Sequence, residues 1–217
     1  MPLNFKSDSH RKINGMKSDH FLYLTFLILM ISNLDLNAQD WEFAKERDGI
    51  KIFTRHDSAS LYKSFKGEID LQSDVNTVSN LIEDVQKFDE WDDDITNIRV
   101  LDAKPGKFIR YYVQYDVRWP FTDRDLCVDA EIRTDPGTDA RIISSWSDPG
   151  ALPEDPEFVR IEKFWQKWTI TRAGAGKVHL ILEGFADPAG DVPAWLANLA
   201  ITATPLNLLR KIREALE

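Results

Sequence analysis

The sequence contains one cysteine, Cys127, so no intrachain disulfide can form and the fold must rest on its hydrophobic core in any redox compartment. Histidine is nearly as scarce: beyond the first 39 residues there are only His56 and His179. The chain has no HExxH pair, no spaced Cys/His set and no Gly-x-Ser-x-Gly elbow, so metal and triad chemistry are not expected and neither is a cofactor. Gly174-Ala175-Gly176 precedes a strand pattern instead of a helix, which removes its phosphate-binding meaning. Asp92-Asp93-Asp94 lacks the alternating ligand spacing of a calcium loop and reads as a solvated acidic turn. Positive charge is also in deficit, with 27 Lys and Arg against 36 Asp and Glu. Without residues 1–39 the balance is 23 to 33, a surface that repels phosphate backbones and anionic membrane. Nucleic acid is therefore not an expected partner, and membrane contact is expected to be transient at most.

The one long apolar run, Phe21 to Ile31, falls short of the roughly 20 residues a spanning helix needs and fits the core of a signal peptide. Lys17 precedes it and Asn37-Ala38-Gln39 follows it. Residues 1–38 are thus expected to be a leader, with Met16 an alternative start, and the domain proper to cover 39–217. The alternative is an uncleaved N-terminal anchor. No cysteine stands directly after the apolar run, which disfavours a lipoprotein anchor, so an exported protein, periplasmic or secreted, is expected.

What is present is 43% hydrophobic residues, enough for a sizeable core. Asp40 to Arg47 reads as a short amphipathic helix on the i, i+3, i+4 relation of Trp41, Ala44 and Lys45. Strands are expected over Ile50–His56 and Leu61–Leu71, then a helix over Asp74–Val85 capped by Ser73, with a second helical piece over Gln86–Trp91. From Ile95 the pattern is strand-like as far as Ala186, punctuated by turn residues at Pro105-Gly106, Pro136-Gly137, Pro149-Gly150 and Gly174 to Gly176. A long helix from Val192 to Leu216 closes the chain, with Asp191 as N-cap and Pro205 as an internal kink. This order implies an α+β fold, a curved antiparallel sheet gripping one helix.

Strand phase selects the interior residues. From Arg124 the alternation places Arg124, Leu126, Val128, Ala130 and Ile132 on one face. A guanidinium on that apolar face needs an acid, a carbonyl or a polar ligand group, or else sits at the strand end paired with a loop. The preceding strand turns Tyr111 and Tyr115 inward, as core residues or as phenols that orient a ligand. Val159 and Ile161 are out of step with Trp168 and Ile170 unless a bulge intervenes. Glu183 pairs with Arg124 if it faces inward and points out if Val178, Leu180 and Leu182 face in. Glu183 and Asp116 are also the carboxylates left for acid catalysis in a closed cavity. In the final helix Trp195, Leu196, Leu199, Ala203, Leu206, Leu209 and Ile212 share one broad face, which must cover something apolar.

The segments Trp119-Pro120-Phe121-Thr122-Asp123-Arg124-Asp125 and Asp187-Pro188-Ala189-Gly190-Asp191-Val192-Pro193-Ala194-Trp195-Leu196-Ala197-Asn198 resemble two motifs of the START (steroidogenic acute regulatory protein-related lipid-transfer) domain. Gly49 to Arg55, Trp91, Val159-Arg160 and Trp168-Thr169-Ile170 match in the same order, so the resemblance spans Trp41 to Leu216. It implies a helix-grip fold with an internal hydrophobic cavity and a C-terminal helical lid, binding a lipid or other apolar small molecule, and it puts Arg124 where the family has its cavity arginine. The residues expected to meet ligand are Arg124, Tyr111, Tyr115, Leu126, Val128, Trp168, Glu183, Leu196, Leu199 and Ala203. A monomeric, noncatalytic carrier is the first expectation. An aromatase- or cyclase-like enzyme on the same scaffold and a binding module for a protein partner are the alternatives.

Overall fold

The computed structural model describes residues 40–90, 92–117 and 120–217. The expected leader, Trp91 and Trp119 lie outside these. Among the described residues ten strands form one sheet, antiparallel except at β8: β1 (Glu42–Arg47), β2 (Ile50–His56), β3 (Lys63–Leu71), β4 (Ile95–Lys104), β5 (Phe108–Tyr115), β6 (Arg124–Thr134), β7 (Arg141–Ser147), β8 (Val159–Arg160), β9 (Phe164–Gly174) and β10 (Lys177–Ala186). The order is β1-β2-β3-β10-β9-β7-β6-β5-β4, and the sheet does not close on itself. Short β8 runs parallel to the start of β6, pairing Val159 with Arg124 and Arg160 with Asp125.

Asp40–Arg47 is where expectation and structure part first. It forms edge strand β1, paired antiparallel to β2 with a bulge between Phe43 and Lys45. None of its residues is buried, so there is no apolar face to hold a helix, and backbone pairing to β2 decides the conformation.

Helix α1 (Val75–Glu83) is capped by Asp74, not Ser73: the Asp74 carboxylate accepts from the backbone of Asn76 and Thr77 and from the Thr77 hydroxyl, satisfying donors the helix cannot. It buries Val78, Ser79 and Ile82 and runs into a 3-10 turn, Val85–Glu90. The out-of-step late strand is resolved by division: β8 ends at Arg160, β9 begins at Phe164, and Trp168 and Ile170 are inside.

The C-terminal segment is two helices, α2 (Ala194–Ala200) and α3 (Ala203–Leu216). The break falls at Ile201-Thr202, ahead of Pro205, which occupies the third position of α3. A missing N–H there is one of the donors a helix leaves unpaired anyway, so proline starts α3 where a kink was expected. Helix α3 buries Leu206, Leu209 and Ile212 against β2 and β3.

The concave face explains where α3 sits. An inward row crosses six strands as Ile52, Gly67, Leu182, Trp168, Ile143 and Ile132. Its smallest member is Gly67, where a Cβ would lie 2.6 Å from Leu209 Cδ1 and 3.2 Å from Pro205 Cβ. The helix descends onto the sheet where the row has no side chain. The neighbouring row, Ile109, Ala130, Ser145, Gln166, Gly184 and Phe65, fills the same kind of gap differently: the Phe65 ring lies over Gly184, 2.5 Å from where its Cβ would be.

Candidate functional site

Between α1, the 3-10 turn and the middle of the sheet lies a cavity of about 10 Å³, lined by Ile82, Glu83, Val85, Phe88, Ile109, Tyr111, Ala130, Ile143, Ser145, Gln166 and Trp168. That is room for about one water. Its walls come from strands whose alternation brings in Tyr111 from β5, Ala130 from β6, Ile143 and Ser145 from β7, and Gln166 and Trp168 from β9. The roof is α1 and the 3-10 turn, from which Phe88 meets the Tyr111 ring edge to face at 6.2 Å. The Trp168 indole N–H donates to Gln166 Oε1 at 3.0 Å. The Tyr111 and Ser145 side chains are 6% and 5% exposed, and neither hydroxyl has a hydrogen-bond partner among the described residues. Burial pushes the Tyr111 and Tyr115 phenols above their usual range, so both stay protonated at any physiological pH. At the edge of the cavity the Glu83 carboxylate is paired with Arg141 at 2.8 Å, and Arg141 Nε also donates to Ser79 Oγ, tying α1 to β7.

Arg124 faces inward from the first position of β6 and is 4% exposed, as its phase requires. Its partners are backbone carbonyls: Nε donates to Pro188 O at 3.1 Å, Nη2 to Ala189 O at 3.3 Å, and Nη1 to Thr122 O. Desolvation lowers its pKa and the charge of Asp123 partly offsets this, but a guanidinium stays charged throughout. Arg124 therefore clamps the loop that leads into α2. Two further ties hold that segment: the Tyr62 hydroxyl donates to Val192 O, and the Asn198 amide bridges Lys63 N and Leu61 O. No residue of α2 is buried.

Among the ten residues expected at the site, Tyr111 and Trp168 line the cavity. Leu126 and Val128 are fully buried on the same face, and Tyr115 stands opposite Arg124 in the register. Leu126 and Val128 run along β6 from the cavity to the clamp: Arg124 lies six positions from Ala130, about 20 Å of extended chain. Leu196 is half-buried. The other three lie away from the inner face. Glu183 lies on the outer face, ion-paired with Lys167 at 2.9 Å, because Val178, Leu180 and Leu182 take the inner phase. Leu199 is 74% exposed and Ala203 is exposed too, because the turn between α2 and α3 rotates them off the face that α3 buries. Asp116, the other carboxylate considered for acid catalysis, is exposed.

Sequence reasoning overlooked the other half of the Arg-Asp pair. Asp125 points to the outer face, 1% exposed, where Arg160 donates Nε to Oδ1 and Nη2 to Oδ2, both at 2.7 Å. The Tyr112 hydroxyl completes the carboxylate's shell. Arg160 also donates to the carbonyls of Pro149, Leu152 and Pro153, so the 148–160 loop is folded over β6. Adjacent residues of one strand thus staple two loops on opposite faces. The alternation that turns Arg124 inward turns Asp125 outward, and a buried carboxylate calls for a cation.

An antiparallel sheet curved over one firmly docked helix, with a small mostly apolar interior, defines a helix-grip α+β protein. The chain belongs to the START domain family, whose description matches residues 25–217, a match that begins inside the expected leader. It is 31% identical over 181 residues to an uncharacterised protein of Pseudomonas aeruginosa, covering 83% of this chain and 88% of that one. To the phosphatidylcholine transfer protein of Rattus norvegicus it is 23% identical over 172 residues, covering 76% and 78%. Among solved structures, a fragment of the STAR-related lipid transfer protein from Xanthomonas axonopodis superimposes with a TM-score of 0.76 at 28% identity, covering 81% of this chain and 98% of that fragment.

Proposed function

We infer that this protein binds a lipid or similar apolar small molecule within the helix-grip interior and transfers it without transforming it. The observation that carries this reading is the contrast between the two C-terminal helices. Helix α3 is fixed by Leu206, Leu209 and Ile212 in the core. Helix α2 has no fully buried residue and is held by the clamp on the loop before it and by polar ties to the β2–β3 loop. A cavity the size of one water cannot take a lipid, so the interior must open, and the weakly held segment is the part that can move. The gate is therefore α2 with the 187–193 loop, not the whole C-terminal helix. Trp195, Leu199 and Leu61, 69%, 74% and 78% exposed, give that end an apolar surface suited to brief contact with a bilayer.

Arg124→Leu removes the clamp, and the loss of even one hydrogen bond to a charged group is worth about tenfold in an equilibrium. Diphenylhexatriene loaded into the protein should pass to acceptor vesicles about tenfold faster from Arg124→Leu than from wild type, while Arg133→Leu, an exposed control, should leave the rate unchanged. Equal rates for the two variants would contradict the gate. Incubated ligand should be recovered with its mass unchanged, and a converted product would favour the cyclase-like enzyme instead.

Export belongs to the same proposal and is supported by the short apolar run with polar flanks. Protein recovered from its own cells should begin near Gln39, and an intact N-terminus in the inner membrane fraction would count against export.

A further inference from the structure

We propose that the cavity receives an uncharged polar group, a hydroxyl, carbonyl or ester, so that the ligand is a neutral lipid and not a phospholipid. This rests on the carrier reading above and narrows it. Two side chains that line the cavity, Tyr111 and Ser145, are buried with hydroxyls that have no partner among the described residues. Buried polar groups are normally paired, and those left without a partner at a cavity mark where a ligand atom completes the set. Gln166 adds an amide: its Oε1 accepts from Trp168, and its Nε2 has no acceptor among the described residues. Three side chains with O–H or N–H donors therefore line one cavity, and the two hydroxyls can also accept. A single ligand oxygen, or an oxygen carrying a hydrogen, satisfies them.

A phosphodiester does not fit this set. A buried phosphate needs a cation with it, and the charged groups near the cavity are already committed. Arg141 is paired with Glu83, whose carboxylate lines the cavity and repels an anion. Arg124 holds three carbonyls at the far end of β6, about 20 Å of strand away. The buried inward face between them is that of Val128 and Leu126, suited to a hydrocarbon chain of that length.

The full chain is incubated with vesicles of phosphatidylcholine and phosphatidylglycerol that carry dioleoylglycerol, then re-isolated, and its lipid is extracted and weighed by mass spectrometry. Dioleoylglycerol should be enriched at least tenfold over either phospholipid relative to the vesicles. Tyr111→Phe and Ser145→Ala should each weaken dioleoylglycerol binding about fivefold more than they weaken binding of the hydrocarbon diphenylhexatriene, the worth of one neutral hydrogen bond. Enrichment of a phospholipid overturns the ligand class and leaves the carrier reading standing. An equal loss for both ligands also overturns it, since the hydroxyls would then be acting through the fold. Uptake of neither lipid nor diphenylhexatriene overturns the carrier reading itself.

Discussion

Replacing Asp125 by alanine is expected to destabilise the fold by about 3–5 kcal/mol, the usual consequence of removing one partner from a buried ion pair. The Arg160 guanidinium is 8% exposed and would keep its carbonyl partners but lose its counter-charge, and the Tyr112 hydroxyl would lose its acceptor. The 148–160 loop should loosen together with the global loss. Urea unfolding with an unchanged slope, alongside faster amide exchange over 148–160, checks both parts. A loss below about 1 kcal/mol would assign the pair the small worth of a surface bridge. Asp125→Asn retains an acceptor for Arg160 and should fall between the two.

The second large effect concerns the contact of α3 with the sheet. Leu209 is fully buried, and Leu209→Ala should cost about 2–5 kcal/mol through lost burial and the space left behind. Gly67→Ala should cost about 1–3 kcal/mol by overpacking, since its new methyl would meet Leu209 Cδ1 at 2.6 Å. The two changes oppose each other in volume, so the double variant should lose less than the sum. A double-mutant cycle measures the difference, and strict additivity would mean that α3 does not rest on Gly67.

How much of this was legible in the sequence depends on how local the deciding physics is. The β5 and β6 phases follow from alternation alone, and they place Tyr111, Tyr115, Leu126, Val128 and Arg124 on the inner face without any knowledge of the neighbours. The start of the C-terminal helical segment was legible only to within two residues: Pro193, not Asp191, stands at the N-cap, and α2 begins at Ala194 where Val192 was expected. Strand β1 was not legible, because three residues at helical spacing mean nothing when the segment buries no side chain and pairs at a sheet edge. Pro205 was misleading because proline is costly inside a helix and harmless in its first turn, and the break at Ile201-Thr202 carries no breaker of its own. The outward phase of Glu183 was readable from Val178, Leu180 and Leu182, and Arg124 needs no acid there because three backbone carbonyls take its donors. Ser145, Gln166 and Glu83 could not be chosen from sequence: the cavity forms where α1 and the 3-10 turn cross β5, β6, β7 and β9, and only the register between distant strands brings Ser145 beside Gln166.

The central claim is that the interior carries a neutral lipid. Native mass spectrometry of the protein purified from its own host, followed by lipid extraction, tests it most directly. The account predicts a population bearing one equivalent of a neutral lipid with a hydroxyl, carbonyl or ester; recovery of a phospholipid in that place, or of the bare chain under conditions where added lipid is retained, would contradict it.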